Sequence, residues 1–335
     1  ISLEAGDPVL VDRYLTAVRA AAPTDSLAQQ AHRAVAEALR RPNELEPLLE
    51  AFSWMLVIDP SVRNLAWQVR RAAESPLARL AIGVTGERQE ELLAWLGARV
   101  EEDPREAYRV LLMGRLLIAW GRLDAAWPLV ISTGFRQRAL LMASDLAYVD
   151  LDYYDRKGLE LSPGARLRVE FLTAIDRANP EGLRDVIERA RAREAEVDAP
   201  IWGVRARAGE GFLRALEGEP VAGLAQVDSA LARYDQQTEP FRYRWVEWLA
   251  KASETRAQAW PIIELPWPGD PVFGVPLHLV RGRALEAEGD TEGALRNYRR
   301  FVATLSNADD GLLVQARLDS VRAVIRRLES AEAGN

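Results

Sequence analysis

Apolar residues in this chain recur at steps of three and four positions. One such run is formed by Leu45, Leu48, Leu49, Phe52 and Leu56. This spacing places apolar side chains along one face of an α-helix, whereas a half-buried strand alternates apolar and polar residues at every second position. No stretch of the sequence sustains that alternation. The pattern therefore predicts helices throughout, about fifteen of them, joined by short turns.

Proline residues indicate where several of these helices begin. Proline is favoured at the first helical position, and a small polar residue before it caps the helix. The chain has six such pairs, namely Asp7-Pro8, Asp59-Pro60, Ser75-Pro76, Asp103-Pro104, Ser162-Pro163 and Asn179-Pro180. Each pair predicts a helix that starts at its proline.

Two windows share one spacing of small and large residues. They are Gly282, Leu285, Gly289, Ala294 and Tyr298 near the C-terminus, and Gly114, Leu117, Gly121, Ala126 and Val130 in the middle. The first glycine lets two helices approach closely, and the second permits a turn with positive φ. The alanine lies where the helices cross, and the last residue fills the groove between them. Weaker copies fall at Val35–Pro60 and at Gly211, Gly218, Val227 and Ala230.

These positions resemble those of the tetratricopeptide repeat (TPR). The resemblance implies an all-α fold, a right-handed α-solenoid of stacked antiparallel helix hairpins with about seven helix pairs, each packed on its neighbours. A second resemblance, to the C-terminal repeat tails of bacterial regulators, rests on Trp267-Pro268-Gly269-Asp270-Pro271, Arg281-Gly282-Arg283, Gly289-Asp290 and Tyr298-Arg299-Arg300-Phe301. It implies a regulatory or scaffolding module.

We expect four segments along the chain. They are irregular TPR-like helical repeats at 1–258, a proline-rich ordered loop at 259–275, the best-matching TPR hairpin at 276–304, and a C-terminal capping helix with a tail at 305–335. The loop is predicted because five prolines, Pro261, Pro266, Pro268, Pro271 and Pro276, fall close together. Such density opposes a regular helix. The capping helix is expected at Leu312–Leu328.

Composition narrows the class of partner. The formal net charge is −7, and the 43 basic residues form no run. Nucleic-acid binding needs clustered basic side chains, so we expect no nucleic-acid partner. No apolar stretch reaches the roughly 18–20 residues of a membrane span, so we expect no transmembrane segment. Only Lys157 and Lys251 are lysines, which together with the many alanines suggests a GC-rich bacterial gene. The compartment stays open, as does an upstream signal, anchor or domain before Ile1.

Few residues suggest chemistry. The absence of cysteine excludes disulfides, thiolate metal sites and a cysteine nucleophile. The two histidines, His32 and His278, are too far apart in sequence to form a helical metal pair. Asp145, Tyr148, Asp152 and Asp155 fall on one face if the segment is a single helix. That face is a candidate for a hard cation or for acid/base work, the alternative being a solvated acidic face. We predict no catalytic residue, metal or cofactor.

Candidate partner-binding residues are of two kinds. Arg115 and Arg283 follow the signature glycines, and with Arg205 and Arg33 they could line the inner curve of the stack and bind a carboxylate or acidic peptide. Trp260 and Trp267, near Trp245 and Trp248, could form an aromatic platform. The alternative is that the arginines are ordinary helix-surface residues and the tryptophans fill gaps between hairpins.

Function follows from the architecture. The sequence favours a non-catalytic protein- or peptide-binding scaffold or adaptor subunit, acting within a larger complex through a concave helical surface. A ligand-sensing regulatory domain of a larger bacterial signalling protein, such as a kinase or transcription regulator, is the alternative. An enzyme acting through the Asp145–Asp155 face is the least favoured interpretation.

Overall fold

A computed structural model describes residues 26–57, 77–78, 80–102, 107–131, 136–197, 199–232, 239–263 and 271–333. Within these ranges every regular element is a helix, and consecutive helices pack against each other. The all-α prediction is confirmed. No helix in the described ranges is long and apolar enough to cross a membrane. The buried apolar side chains form one continuous core from Ala34 to Leu328.

The described residues contain sixteen α-helices with defined bounds and one 3-10 helix, and residues 77–78 and 80–82 are also helical. The first eight are α1 (Ser26–Arg40), α2 (Leu45–Val57), α3 (Glu87–Glu102), α4 (Ala107–Ala119), α5 (Leu123–Ile131), α6 (Arg136–Asp145), α7 (Leu151–Arg156) and α8 (Pro163–Asp176). The others are α9 (Pro180–Val197), α10 (Pro200–Leu216), α11 (Pro220–Leu231), α12 (Glu239–Lys251), α13 (Arg256–Ile263), the 3-10 helix Pro271–Phe273, α14 (Gly274–Glu288), α15 (Thr291–Thr304) and α16 (Leu313–Ala333).

In three hairpins, a glycine allows the two helices to approach each other closely. A Cβ atom added to Gly282 of α14 would lie 2.5 Å from the ring of Tyr298 on α15. One added to Gly211 of α10 would lie 2.6 Å from the backbone oxygen of Gly223 on α11. Gly114 of α4 meets Val130 of α5 in the same way. Both predicted windows, and the weaker copy at Gly211, therefore form helical hairpins.

The turns of these hairpins share one backbone geometry. Gly121, Gly218 and Gly289 have φ of 73°, 101° and 84°. After each glycine, the next N–H donates to the carbonyl four residues before that glycine, which closes the helix in a Schellman motif. Ala178, with φ 48°, takes this place between α8 and α9. The α8–α9 hairpin therefore has the same turn without the glycine.

Two of the six predicted helix starts fall within the described residues, and both are confirmed. Ser162 is the N-cap of α8, and its side chain accepts a hydrogen bond from the N–H of Ala165. α9 begins at Pro180, where the Asn179 side chain accepts from Gly182 at 3.2 Å. The other four pairs, at Pro8, Pro60, Pro76 and Pro104, lie outside the described residues.

The C-terminal hairpin returns to the N-terminal half of the chain. The Gln89 side-chain amide donates to the Thr304 carbonyl at 2.9 Å, across 215 positions. The N–H of Asp309 donates to Gly121 at 3.0 Å, and that of Leu313 to Tyr148 at 2.8 Å. The fold is therefore more closed than the predicted stack, in which each hairpin touches only its neighbours.

The proline-rich segment differs from the predicted loop at 259–275. α13 continues to Ile263 with Pro261 inside it, and the 3-10 helix Pro271–Phe273 leads directly into α14. A proline near the end of a short helix removes one hydrogen bond and leaves the preceding turns intact. Residues 264–270, with Trp267, lie outside the described residues. α16 covers Leu313–Ala333 and so runs past the predicted end at Leu328.

The contact between α10 and α11 can be tested by adding one methyl group. Gly211→Ala should lower the free energy of unfolding by about 1–3 kcal/mol, because the new Cβ meets backbone atoms that cannot move aside. Gly97→Ala is the matched control, since no atom lies within 4 Å of its added Cβ. It should be neutral or stabilise by up to about 1 kcal/mol. Urea denaturation measures both, and equal stabilities would contradict the close approach.

Candidate binding surfaces

The four predicted arginines lie in different surroundings. Arg33 is exposed on α1, and Arg115 is half-buried on α4. Arg205 is buried on α10. Arg283 on α14 donates to a carboxylate oxygen of Glu247 at 3.0 Å. Arg205 and Arg283 each lie beside a buried carboxylate of the protein itself, which occupies their charge internally.

Arg244 of α12 is the centre of the buried polar groups. Its side chain is 0% exposed. Its Nε and Nη2 donate to the two carboxylate oxygens of Asp176, at 2.9 and 2.6 Å. The guanidinium also donates to the backbone oxygens of Asp145 and Ser144, at 2.9 and 3.1 Å. Because Asp176 ends α8 and the two carbonyls end α6, one side chain holds two helix C-termini together.

Arg205 is part of the packed interior. Its guanidinium stacks on the ring of Trp202 at 4.5 Å and lies 5.9 Å from that of Phe241. Burial, with the nearby charge of Arg168, lowers the pKa of Arg205 to about 9, so it stays protonated at neutral pH. Arg168 in turn donates to the Asp145 carboxylate at 2.6 Å. Burial raises the pKa of Asp145 in spite of this partner.

Glu247 of α12 is a buried carboxylate shared by several cations. Lys251 and Arg283 approach one of its oxygens to 3.1 and 3.0 Å. Burial alone would raise the pKa of Glu247, but the charges of Lys251, Arg317 and Arg283 lower it to about 2. Arg317 belongs to α16, so the C-terminal helix contributes its charge to this interior.

The predicted aromatic platform is divided. The Trp245 indole N–H donates to the Leu224 carbonyl of α11 at 2.9 Å, and Trp248 packs edge-on against Phe212 of α10 at 5.4 Å. These two tryptophans fill the space between helices, as the alternative interpretation predicts. Trp260 is half-buried on α13, and Trp267 lies outside the described residues.

The predicted acidic face is wrong, because its residues do not share a helix. Asp145 ends α6, the chain turns at Ala147 with φ 58°, and α7 begins after Asp150. Tyr148 is buried in this turn and donates to the Ala119 carbonyl at 2.9 Å. Asp155 pairs with Arg166 at 2.5 Å. In the described residues no group of three or more acidic or histidine side chains is placed to hold a metal ion.

The two histidines occupy separate positions. His278 Nδ1 lies 3.2 Å from the side-chain oxygen of Asn297, within the α14–α15 hairpin. The side chain of His32 is not among those described. His278 therefore has a packing partner in its own hairpin.

Two surface clefts open on successive hairpins. The first, here called the α8–α9 cleft, has a volume of about 330 Å³. Its lining residues are Asp150, Leu151, Asp152, Glu170, Thr173, Ala174, Arg177, Asn179, Gly182, Asp185, Val186 and Arg189. The second, the α10–α11 cleft, has a volume of about 340 Å³ and is lined by Arg207, Glu210, Gln226, Ser229 and Ala230.

The clefts lie at equivalent positions of the two hairpins. The turn residues Ala178 and Gly218 are forty positions apart. The same offset relates three lining pairs, which are Glu170 and Glu210, Val186 and Gln226, and Arg189 and Ser229. Both clefts therefore lie at equivalent places on their hairpins. The surface of helices α8 to α11 that contains the two clefts is here called the α8–α11 face.

Sequence reasoning missed this face for an identifiable reason. The α8–α9 hairpin has Ala178 where the repeated spacing predicts glycine, and Phe171 where it predicts a small residue. A usable signal did exist, since Pro180 and Pro220 start the second helices forty positions apart. Comparison with known proteins adds nothing to this assignment: no family model, no curated protein and no solved structure matches the chain.

Arg244→Met tests the centre of the buried network. It should lower the free energy of unfolding by about 3–5 kcal/mol, because Asp176 loses its buried partner. Arg244→Lys should recover only part of the lost free energy of unfolding, since an ammonium lacks the planar fork of a guanidinium. The control Arg296→Met removes an arginine that is 62% exposed and should cost under about 0.5 kcal/mol. Similar losses for Arg244→Met and Arg296→Met in denaturant titrations would contradict the assignment.

Low pH should lower the free energy of unfolding, because it protonates Glu247. Its folded pKa of about 2 lies below the ordinary 4.5, so its stabilising effect is complete above about pH 5 and is lost as pH falls towards 2. Removing its charge by Glu247→Gln should therefore flatten the curve of unfolding free energy against pH in that window, by at most about 1.4 kcal/mol per pH unit.

The matched control is Glu292→Gln, which changes a carboxylate that is 83% exposed. It should leave the acid limb of the curve unchanged. If Glu247→Gln and the unmodified chain gave parallel curves from pH 5 to pH 2, Glu247 would have no part in acid stability.

Proposed function

We propose that this chain is a non-catalytic scaffold that binds an extended protein or peptide segment along the α8–α11 face. The observation that carries the proposal is the equivalent register of the two clefts on consecutive hairpins. A row of similar clefts suits a linear partner, which can place one side chain in each. The underlying architecture that we propose is a right-handed, TPR-like α-solenoid of about seven helix pairs, closed further by the contacts of the C-terminal hairpin with the N-terminal half. The common turn geometry of the hairpins supports its repeating unit.

The predicted inner surface is a weaker candidate than the α8–α11 face. Arg205 is stacked between aromatic rings, and Arg283 is bound to Glu247. An incoming carboxylate would have to displace these internal contacts, which costs the desolvation of a buried charge. On the α8–α11 face a partner meets charged groups already at the surface.

Spacing and charge constrain the partner. Packed helices lie about 8–10 Å apart, and an extended chain advances about 3.3 Å per residue, so neighbouring clefts would accept side chains about three positions apart. In the α8–α9 cleft four carboxylates outnumber Arg177 and Arg189 by two. A basic side chain of the partner is therefore favoured there.

Two other functions have less support. The carboxylates of Asp145, Asp150 and Asp155 lie on separate elements and pair with arginines, so acid/base catalysis would have to break these pairs. A ligand-sensing domain would need to bind a small molecule in one of the two clefts. The experiment below distinguishes a sensor from a scaffold.

Site-specific photocrosslinking tests the scaffold. A photoreactive amino acid replaces Thr173 in the first cleft or Ser229 in the second, and Ser320, exposed on α16, serves as the control position. We expect one partner segment to crosslink at both clefts and not at Ser320, as mapped by mass spectrometry after irradiation in cells of the source organism. Adducts no stronger at the clefts than at Ser320 would contradict the proposal. A small molecule that raised the melting temperature without any protein adduct would favour the sensor.

A further inference from the structure

Arg207 differs from the other arginines of the α8–α11 face. Seven arginines on or next to these helices form ion pairs with carboxylates of the protein, namely Arg166, Arg177, Arg184, Arg189, Arg191, Arg193 and Arg214. Arg168 pairs with Asp145, and Arg205 is buried. Arg207 is exposed, and its guanidinium has no ion pair with any described residue. It lines the α10–α11 cleft.

The one carboxylate in the lining of this cleft pairs with another arginine and not with Arg207. Glu210 is the acidic residue among those lining it, and its carboxylate already accepts from Arg191. The Gln226 amide nitrogen lies 3.4 Å from both the Glu210 carboxylate and the Arg207 carbonyl. The amide is therefore turned towards α10, and Glu210 accepts hydrogen bonds from both Arg191 and Gln226. Arg207 and Glu210 balance in charge among the lining residues, but the Glu210 carboxylate is ion-paired with Arg191, which lies outside the lining, and not with Arg207.

The register of the two hairpins explains the space beside Arg207. In the α8–α9 cleft, Arg189 occupies the position of Ser229 and forms ion pairs with Glu170 and Asp185. In the α10–α11 cleft the short hydroxyl of Ser229 replaces that long side chain. The cleft thus combines a fork of guanidinium N–H donors with an exposed hydroxyl donor, and both residues line it.

We infer that the α10–α11 cleft binds a carboxylate side chain of the partner segment, with Arg207 donating two parallel hydrogen bonds and Ser229 a third. The fork of a guanidinium matches the two oxygens of a carboxylate. This inference rests on the proposed function, since it places one acidic residue of the segment that crosses the α8–α11 face. In this inference, Arg207 selects an acidic residue of the partner at the α10–α11 cleft.

The test follows the side-chain Nε–H signals of ¹⁵N-arginine-labelled full chain by NMR. The probes are sodium acetate, inorganic phosphate and a ten-residue alanine/serine peptide with lysine at position 4 and glutamate at position 7. A matched peptide carries glutamine at position 7. The Arg207 signal is assigned by its loss in Arg207→Gln. The control variant is Arg214→Gln, which removes an arginine 48% exposed and paired with Glu219.

We expect the glutamate peptide to shift the Arg207 signal and the glutamine peptide to bind at least tenfold more weakly. Arg207→Gln, followed through the Nε–H signal of Arg191, which pairs with the cleft residue Glu210, should weaken binding of the glutamate peptide at least tenfold, and Arg214→Gln less than twofold. Equal binding of the two peptides, or tighter binding of phosphate than of acetate, would overturn the carboxylate assignment. So would the absence of any shift with acetate and peptide at millimolar concentration.

The acetate arm separates this inference from the proposed function. A saturable shift of the Arg207 signal with acetate supports the carboxylate site by itself. If the glutamate peptide then bound no more tightly than acetate, the site would stand and the extended-segment scaffold would fail.

Discussion

The fold depends on one buried guanidinium. Arg244 lies in the interior of the helical stack, where a charge without partners would be very unfavourable. Its hydrogen bonds to the Asp176 carboxylate and the Asp145 carbonyl satisfy polar groups at two helix ends, and a further bond goes to the Ser144 carbonyl, which also accepts from Ala147. The position of α12 relative to α6 and α8 is therefore constrained by hydrogen-bond geometry as well as by apolar packing. Of the helices that form the α8–α11 face, α8 is the one held in this way.

The charged residues fall into two populations with different roles. In the interior, Asp145, Glu247 and their cations stabilise the arrangement of helices and leave little freedom for a ligand. On the α8–α11 face, most arginines pair with a carboxylate of a neighbouring helix or turn, which keeps the surface locally balanced in charge. Among the described arginines of that face, Arg207 is exposed without such a pair, and it lines a cleft. The proposed recognition of a carboxylate rests on this guanidinium.

Much of the local structure could be predicted from the sequence. The three- and four-residue periodicity gives the helices, and glycines such as Gly211 and Gly282 give the close hairpins, because both patterns act through neighbouring residues. The acidic face was predicted wrongly. Asp145 and Asp152 fit one helical face on paper, yet a left-handed Ala147 divides them into two helices. The prolines after Ala259 suggested a loop, yet packing keeps Ile263 helical.

The sequence by itself determined that this protein is helical, that its helices pair through small residues, and that it has neither a basic surface run nor a cysteine. The tertiary structure alone decided which arginines are interior and which face solvent. Arg205 and Arg207 lie two positions apart in one helix, and their roles differ because other residues cover Arg205 while Arg207 is exposed. Burial and pairing arise between residues up to 215 positions apart, as with Gln89 and Thr304, and no local pattern records them.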